Sequence, residues 1–180
     1  MAIDLIISVD DMKSVCGLSS SMDGNYLTSY IDQATDLATT NVLGTALTQK
    51  LISDNNNSTL TGVYEEMWNS AKCSVKKMVA WQAYQLCLPR MLFKIGAETI
   101  SVGDTDDVTS IDSSDLAVLT RQADASRVMY ENGVKNYLST NYSSIPELVD
   151  STPNYKPADT THSDTSQGLS FTPNITYSNF

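Results

Sequence analysis

From Tyr64 to Pro89 the chain reads YEEMWNSAKCSVKKMVAWQAYQLCLP, and this stretch decides the fold class. Tyr64, Met67, Trp68, Ala71, Val75, Met78 and Val79 recur with the spacing that gathers side chains on one face of an α-helix. Trp81, Ala83, Tyr84 and Leu86 widen that face. A helix apolar over so much of its circumference belongs in the middle of a bundle. Glu65 and Glu66 come first and Lys72, Lys76 and Lys77 later, the order that the helix dipole favours. The pattern predicts one long helix, ended or kinked by Pro89, since proline removes a donor and clashes with the preceding turn.

Upstream, Ala2 to Ile7 is short and apolar, and reads as an extended arm or edge strand. Ser8-Val9-Asp10-Asp11 has a capping residue followed three positions later by an acid, a box-like helix start. Gly17 should close that short helix in the left-handed conformation. Asp23 can cap a second helix, whose apolar stripe is Leu27, Tyr30, Ile31, Ala34, Leu37 and Ala38. Thr39-Thr40-Asn41 interrupts it with residues that favour caps and turns, so a kink or break is expected there. Leu43, Ala46, Leu47 and Leu51 then resume the helical period, and Asp54 to Ser58 reads as a polar loop.

Downstream of Pro89 the period changes. Glu98-Thr99-Ile100-Ser101-Val102 alternates, Gly103 to Asp107 turns, and Val108 to Ile111 alternates again, which predicts a β-hairpin over 98–111. An isolated two-stranded hairpin is marginal in water, so it should project and find a partner. Asp112 or Ser113 then caps a last helix, with Leu116, Leu119, Ala123, Met129, Tyr130, Val134, Tyr137 and Leu138 on its buried side. From about residue 143 the chain is rich in Ser, Thr, Asn, Asp and Pro. Leu169, Phe171, Ile175 and Tyr177 still share one parity, and Phe180 follows them. An extended segment of that kind suits strand addition to another chain. The expectation is a mainly α fold of about four helices, spanning 1–142 with the hairpin inserted, and an extended arm over 143–180.

Composition narrows the function. Of 180 residues, 41% are apolar, enough for a core, and 11 basic against 21 acidic residues leave a net charge of −10. A surface that acidic repels phosphate backbones and anionic membranes. No apolar run approaches the roughly 20 residues of a membrane span, and the N-terminus lacks the basic region of a signal peptide. Cys16, Cys73 and Cys87 fall on helical positions and read as buried free thiols of a protein made in a reducing cytoplasm.

Catalytic constellations are missing. The single histidine, His162, lies in the polar tail, and neither a zinc motif nor a nucleophile elbow occurs. Asp104, Asp106 and Asp115 echo a calcium loop, but Val108 stands where a ligand is needed and Thr109 replaces the turn glycine. Lys72, Lys76 and Lys77 beside Trp68 and Trp81 could be taken for a nucleic-acid patch. At these spacings, however, the aromatics belong to the core stripe. No enzyme activity, cofactor or metal is expected.

The order of parts resembles the head-to-tail connector, or adaptor, proteins of tailed bacteriophages, and in particular the ring proteins of crAss-like phages. The block that carries the resemblance runs from Leu92-Phe93-Lys94-Ile95-Gly96 through the hairpin to Asp115-Leu116-Ala117-Val118-Leu119-Thr120-Arg121-Gln122-Ala123-Asp124-Ala125. It continues through Met129-Tyr130 to Tyr137-Leu138-Ser139-Thr140-Asn141. The resemblance implies a virion protein in the neck, forming a ring, expected to be a dodecamer, beneath the portal protein. Its partners would be copies of itself, the portal and the next tail or ring protein, with DNA passing through unbound. The contacts would come from Ile100, Val102, Asp104, Asp106 and Asp107 of the hairpin and from Leu169, Phe171, Ile175, Tyr177 and Phe180 of the tail. The alternatives are a small cytoplasmic helical binding module, such as a chaperone or regulator, and another neck or tail-completion protein.

Overall fold

The computed structural model describes residues 6–95, 113–149 and 155. Among these the fold is mainly helical, with six α-helices and no strand. They are α1 (Val9–Cys16), α2 (Gly24–Ala38), α3 (Thr45–Asn56), α4 (Gly62–Asn69), α5 (Val75–Ile95) and α6 (Ser113–Thr140). Helix α5 is the hub. It packs most extensively on α6, then on α2 and α1.

Local chemistry sets several boundaries where the sequence places them. The Ser8 hydroxyl accepts from the Asp11 amide, and the Asp11 carboxylate accepts in return from the Ser8 amide, a complete capping box. Gly17 ends α1 at φ 65° with its amide bonded to the Lys13 carbonyl. Asp23 accepts from the Asn25 amide at 3.0 Å to open α2. At Thr39–Leu43 the backbone widens into one π-helical turn and stops at Gly44, φ 76°. The expected interruption is therefore present. The Thr39 hydroxyl donates back to the Thr35 carbonyl at 2.8 Å and accepts from the Thr48 hydroxyl at 3.1 Å, tying α2 to α3.

Elsewhere the structure corrects the sequence reading. The bundle has six helices rather than about four, partly because the long helix expected from Tyr64 is broken at 70–74. Ser74 causes the break. Its buried hydroxyl donates to the Trp68 carbonyl at 2.7 Å and accepts from the Lys77 amide at 3.2 Å, closing α4 and capping α5 at once. Ala71, assigned to the apolar face, is exposed in this corner. Pro89 does not end α5, which continues to Ile95. Helix α3 runs to Asn56, into the expected loop, and the turn falls at Asn57 and Ser58, the latter at φ 56°.

The core joins Met12, Leu27, Ile31, Leu43, Leu47, Leu51, Met67, Val79, Cys87 and Leu138. Two ends of the chain also enter it. Ile6 and Ile7 are fully buried, so the described part of the N-terminal stretch fills its own core. Ile145, between two short 3₁₀ turns, and Leu148, at the end of the second, are likewise fully buried beyond residue 142, and Tyr155 packs against the same cluster. Leu37 and Met129, assigned to buried stripes, are 39% and 55% exposed. One close approach went unread in the sequence. A Cβ on Gly133 would fall inside the Lys72 carbonyl oxygen and 3.3 Å from the Cys73 Cα. The absent side chain lets α6 lie against the backbone of the α4–α5 corner.

Candidate functional site

Among the described residues a concavity lies where α2, the π turn, α5 and α6 meet. This open cleft of about 300 Å³ has Leu37, Ala38, Val42 and Met78 in its lining, and of these only Leu37 is exposed. Asn41, Gln82, Arg127, Glu131 and Lys135 are its polar lining residues. The π turn positions Asn41 and Val42. Helix α5 supplies Met78 and Gln82, one turn apart. The remaining wall is one face of α6.

That face carries a continuous ion-pair ladder. Arg127 bonds Asp124 at 2.9 Å and also Glu131, and Lys135 bonds the other Glu131 oxygen at 2.6 Å. Gln85 of α5 donates to Asp124 at 3.1 Å, fastening the ladder to the hub helix. Steps of three and four between opposite charges each contribute about 0.3–0.5 kcal/mol. Both cations of the lining, Arg127 and Lys135, are thus matched by carboxylates. The acid–base alternation Asp124, Arg127, Glu131, Lys135 was the sequence signal for this wall.

Tyr155 packs against the core cluster. The side chain is half-buried on the core, and its hydroxyl is enclosed without a hydrogen-bond partner among the described residues. Burial, then the negative charge of Glu131, pushes its pKa up to about 12.

Other polar contacts hold elements together. The Tyr64 hydroxyl donates to Glu147 at 2.7 Å, pinning the 3₁₀ turn after α6 to α4. The Lys50 ammonium, paired with Asp54 at 2.9 Å, lies 4.7 Å from the centre of the Tyr64 ring. The Tyr137 hydroxyl reaches Glu66 at 3.0 Å, and burial followed by that bond raises its pKa to about 12. Lys76 pairs with Asp11 of α1, and Lys77 lies 5.5 Å from the Tyr130 ring centre. Two of the three lysines are thus engaged within the fold, while Trp68 is buried.

The three cysteines are free thiols. Burial drives Cys16 and Cys87 up to about 12, which leaves them protonated and unreactive at neutral pH. Among the described residues no group of three or more His, Cys, Asp or Glu is placed to hold a metal ion. Nor is any helix among them long and apolar enough to cross a membrane.

The contact residues nominated from sequence lie outside the described residues. These are Ile100, Val102, Asp104, Asp106 and Asp107 of the hairpin, and Leu169, Phe171, Ile175, Tyr177 and Phe180 of the tail. His162 lies outside them too.

A family model described as a family of unknown function (DUF6712) covers residues 39–158, from the π turn through Tyr155. No curated protein and no solved structure matches the chain.

Proposed function

The chain belongs to the DUF6712 family, and for this member we propose the role of a structural virion protein, a ring below the portal that joins a phage capsid to its tail. The observation that carries the reading is the α5–α6 pair. These helices, of 21 and 28 residues, flank segment 96–112 and contain most of the block on which the resemblance to connector proteins rests. In this reading residues 98–111 form the projecting hairpin. Its apolar pair Ile100 and Val102 meets a neighbouring subunit, and Asp104, Asp106 and Asp107 face the channel or the next ring. The tail from Leu169 to Phe180 makes the remaining contact.

Charge supports the same role. A net charge of −10 gives a wall to which passing DNA does not adhere. A ring needs two different patches on each copy, related by a rotation that closes. Hairpin and tail, on distinct parts of the chain, provide two such patches. The partners are further copies in an expected dodecamer, the portal protein and the next tail or ring protein.

Cryo-electron microscopy of particles made by the encoding genome, with symmetry left free around the neck, tests the proposal. Density for this chain as a closed ring beneath the portal is the expected result. Absence of the protein from the particle overturns it and leaves a cytoplasmic helical binding module as the account to pursue.

A further inference from the structure

We infer that the outer face of α6 docks on α2 of a second copy of this chain, with Arg121 of one copy seated between Asp32 and Asp36 of the next. Five large hydrophobic residues are exposed among the described residues, and three of them, Val118, Val128 and Met129, lie on this one helix. They are 50%, 38% and 55% exposed, so a contact there has apolar surface to remove from water. By helical spacing, Val118, Arg121, Ala125, Val128, Met129 and Asn132 share the side opposite Ala123 and Val134, which are fully buried. Between residues 116 and 140 the helix carries Arg121, Arg127 and Lys135 against Asp124 and Glu131, a local charge of +1 in a chain of −10. Arg127 and Lys135 are bonded within the ladder. Arg121 is exposed and has no ion-pair partner among the described residues.

Charge chooses the occupant. Asp32 and Asp36 are the only charged residues of α2. Four positions apart, they share a face where like charges destabilise a helix, and neither has an ion-pair partner among the described residues. A guanidinium from outside relieves that repulsion, and its fork of donors can bond both carboxylates. Leu37, 39% exposed, follows Asp36 and offers an apolar seat to Val118 and Met129. Two α6 faces set against each other would leave Arg121 unpaired, because Asp124 and Glu131 are already matched. Helix α6 on α2 satisfies both patches. Since the patches differ, the contact is heterologous and passes from copy to copy until a rotation closes it. The inference rests on α2 and α6 alone and does not require the portal-ring reading.

Amide chemical shifts of the full chain, followed against its concentration, test the inference. Two helix faces bury less than the roughly 800 Å² per partner of a stable interface, so the series runs from about 20 μM to about 1 mM. The expected shifts fall on α6 between Val118 and Asn132 and on α2 from Asp32 to its end. Arg121→Glu and Asp36→Arg, both at exposed positions, should each weaken the association about ten-fold. The chain carrying both substitutions should recover most of it, since the exchanged charges attract again. Shifts absent at the highest concentration overturn the inference. So do shifts on α6 without α2, which mean a symmetric pair, and a double variant that associates no better than its weaker parent. Imaging of the particle decides the ring separately, because a ring can close through hairpin and tail without this contact.

Discussion

Gly133 shows how much one missing side chain can hold. A methyl there meets the main chain at Lys72 and Cys73, which no rotamer change can move aside. Overpacking of this kind costs about 1–3 kcal/mol, against a helix-propensity gain of up to about 1 kcal/mol. Gly133→Ala should therefore lower stability in urea unfolding. Asn132→Ala on the exposed neighbouring position should stay within about 0.5 kcal/mol of the parent. Asp11 gives a pH-dependent counterpart. Burial raises its pKa, but hydrogen bonds from Lys76 and Ser8 and the Lys76 charge together outweigh that, and the net value lies below 3.8. A carboxyl depressed in the folded state stabilises it above the unfolded pKa, and that contribution is lost as pH falls through the folded value. Replacing Asp11 by Asn should lower stability at neutral pH and flatten its decline below about pH 4. Equal acid slopes for variant and parent would show that the carboxylate is not coupled to folding.

At the scale of elements, two features of the hub helix invite opposite experiments. Ser74 closes α4 and opens α5 with a single buried hydroxyl. Loss of a cap costs about 1 kcal/mol, and a buried carbonyl left unpaired costs about 1–3 kcal/mol more. Ser74→Ala should thus be clearly destabilising in thermal melts monitored by circular dichroism. Pro89 is the reverse case, a helix breaker on an exposed position inside α5. A proline in a helix interior is about 3 kcal/mol less favourable than alanine. Pro89→Ala should raise the melting temperature, and an unchanged value would mean that the surrounding turns already absorb the proline. The break and the continuation share one lesson: helical spacing ran unbroken through Ser74 and was interrupted at Pro89, yet the chain does the opposite at both. A side chain bonded to residues on both sides overrides a periodic pattern. Packing of α5 against α1, α2 and α6 overrides a local backbone penalty.

For the whole molecule, the boundary between domain and tail governs what truncation can do. Ile145 and Leu148 are core residues, and Tyr155 rests on the core. Removal of residues 165–180 spares all three. The truncated chain should keep the helical circular dichroism of the parent while losing assembly with its neighbours. A collapse of the helical signal would mean that the tail completes the fold. Much of the domain was legible because its signals are local: Ser8 with Asp11, Gly17 and Asp23 each set a boundary through bonds spanning three to five residues. Less of the cleft was legible. Its α6 ladder is written in the spacing of Asp124, Arg127, Glu131 and Lys135. Its apolar lining joins Leu37, Val42 and Met78 from different elements, which no local pattern relates. Leu37 was taken for a core residue because it lies on the edge of its stripe, where a small rotation of the helix decides between burial and exposure.

The sequence by itself determined the helical class, the caps of α1 and α2, the interruption at Thr39 and a net negative charge. Each follows from side chains acting on their own backbone, or from a sum of charges. Tertiary structure alone decided that Ser74 splits a continuous apolar stripe, that α5 passes through Pro89, that Gly133 admits the Lys72 carbonyl, and that a cleft opens between α2, α5 and α6. These depend on which surfaces meet across the bundle. Burial energy is settled between elements far apart in the chain, and it outweighs the local preferences from which a sequence can be read.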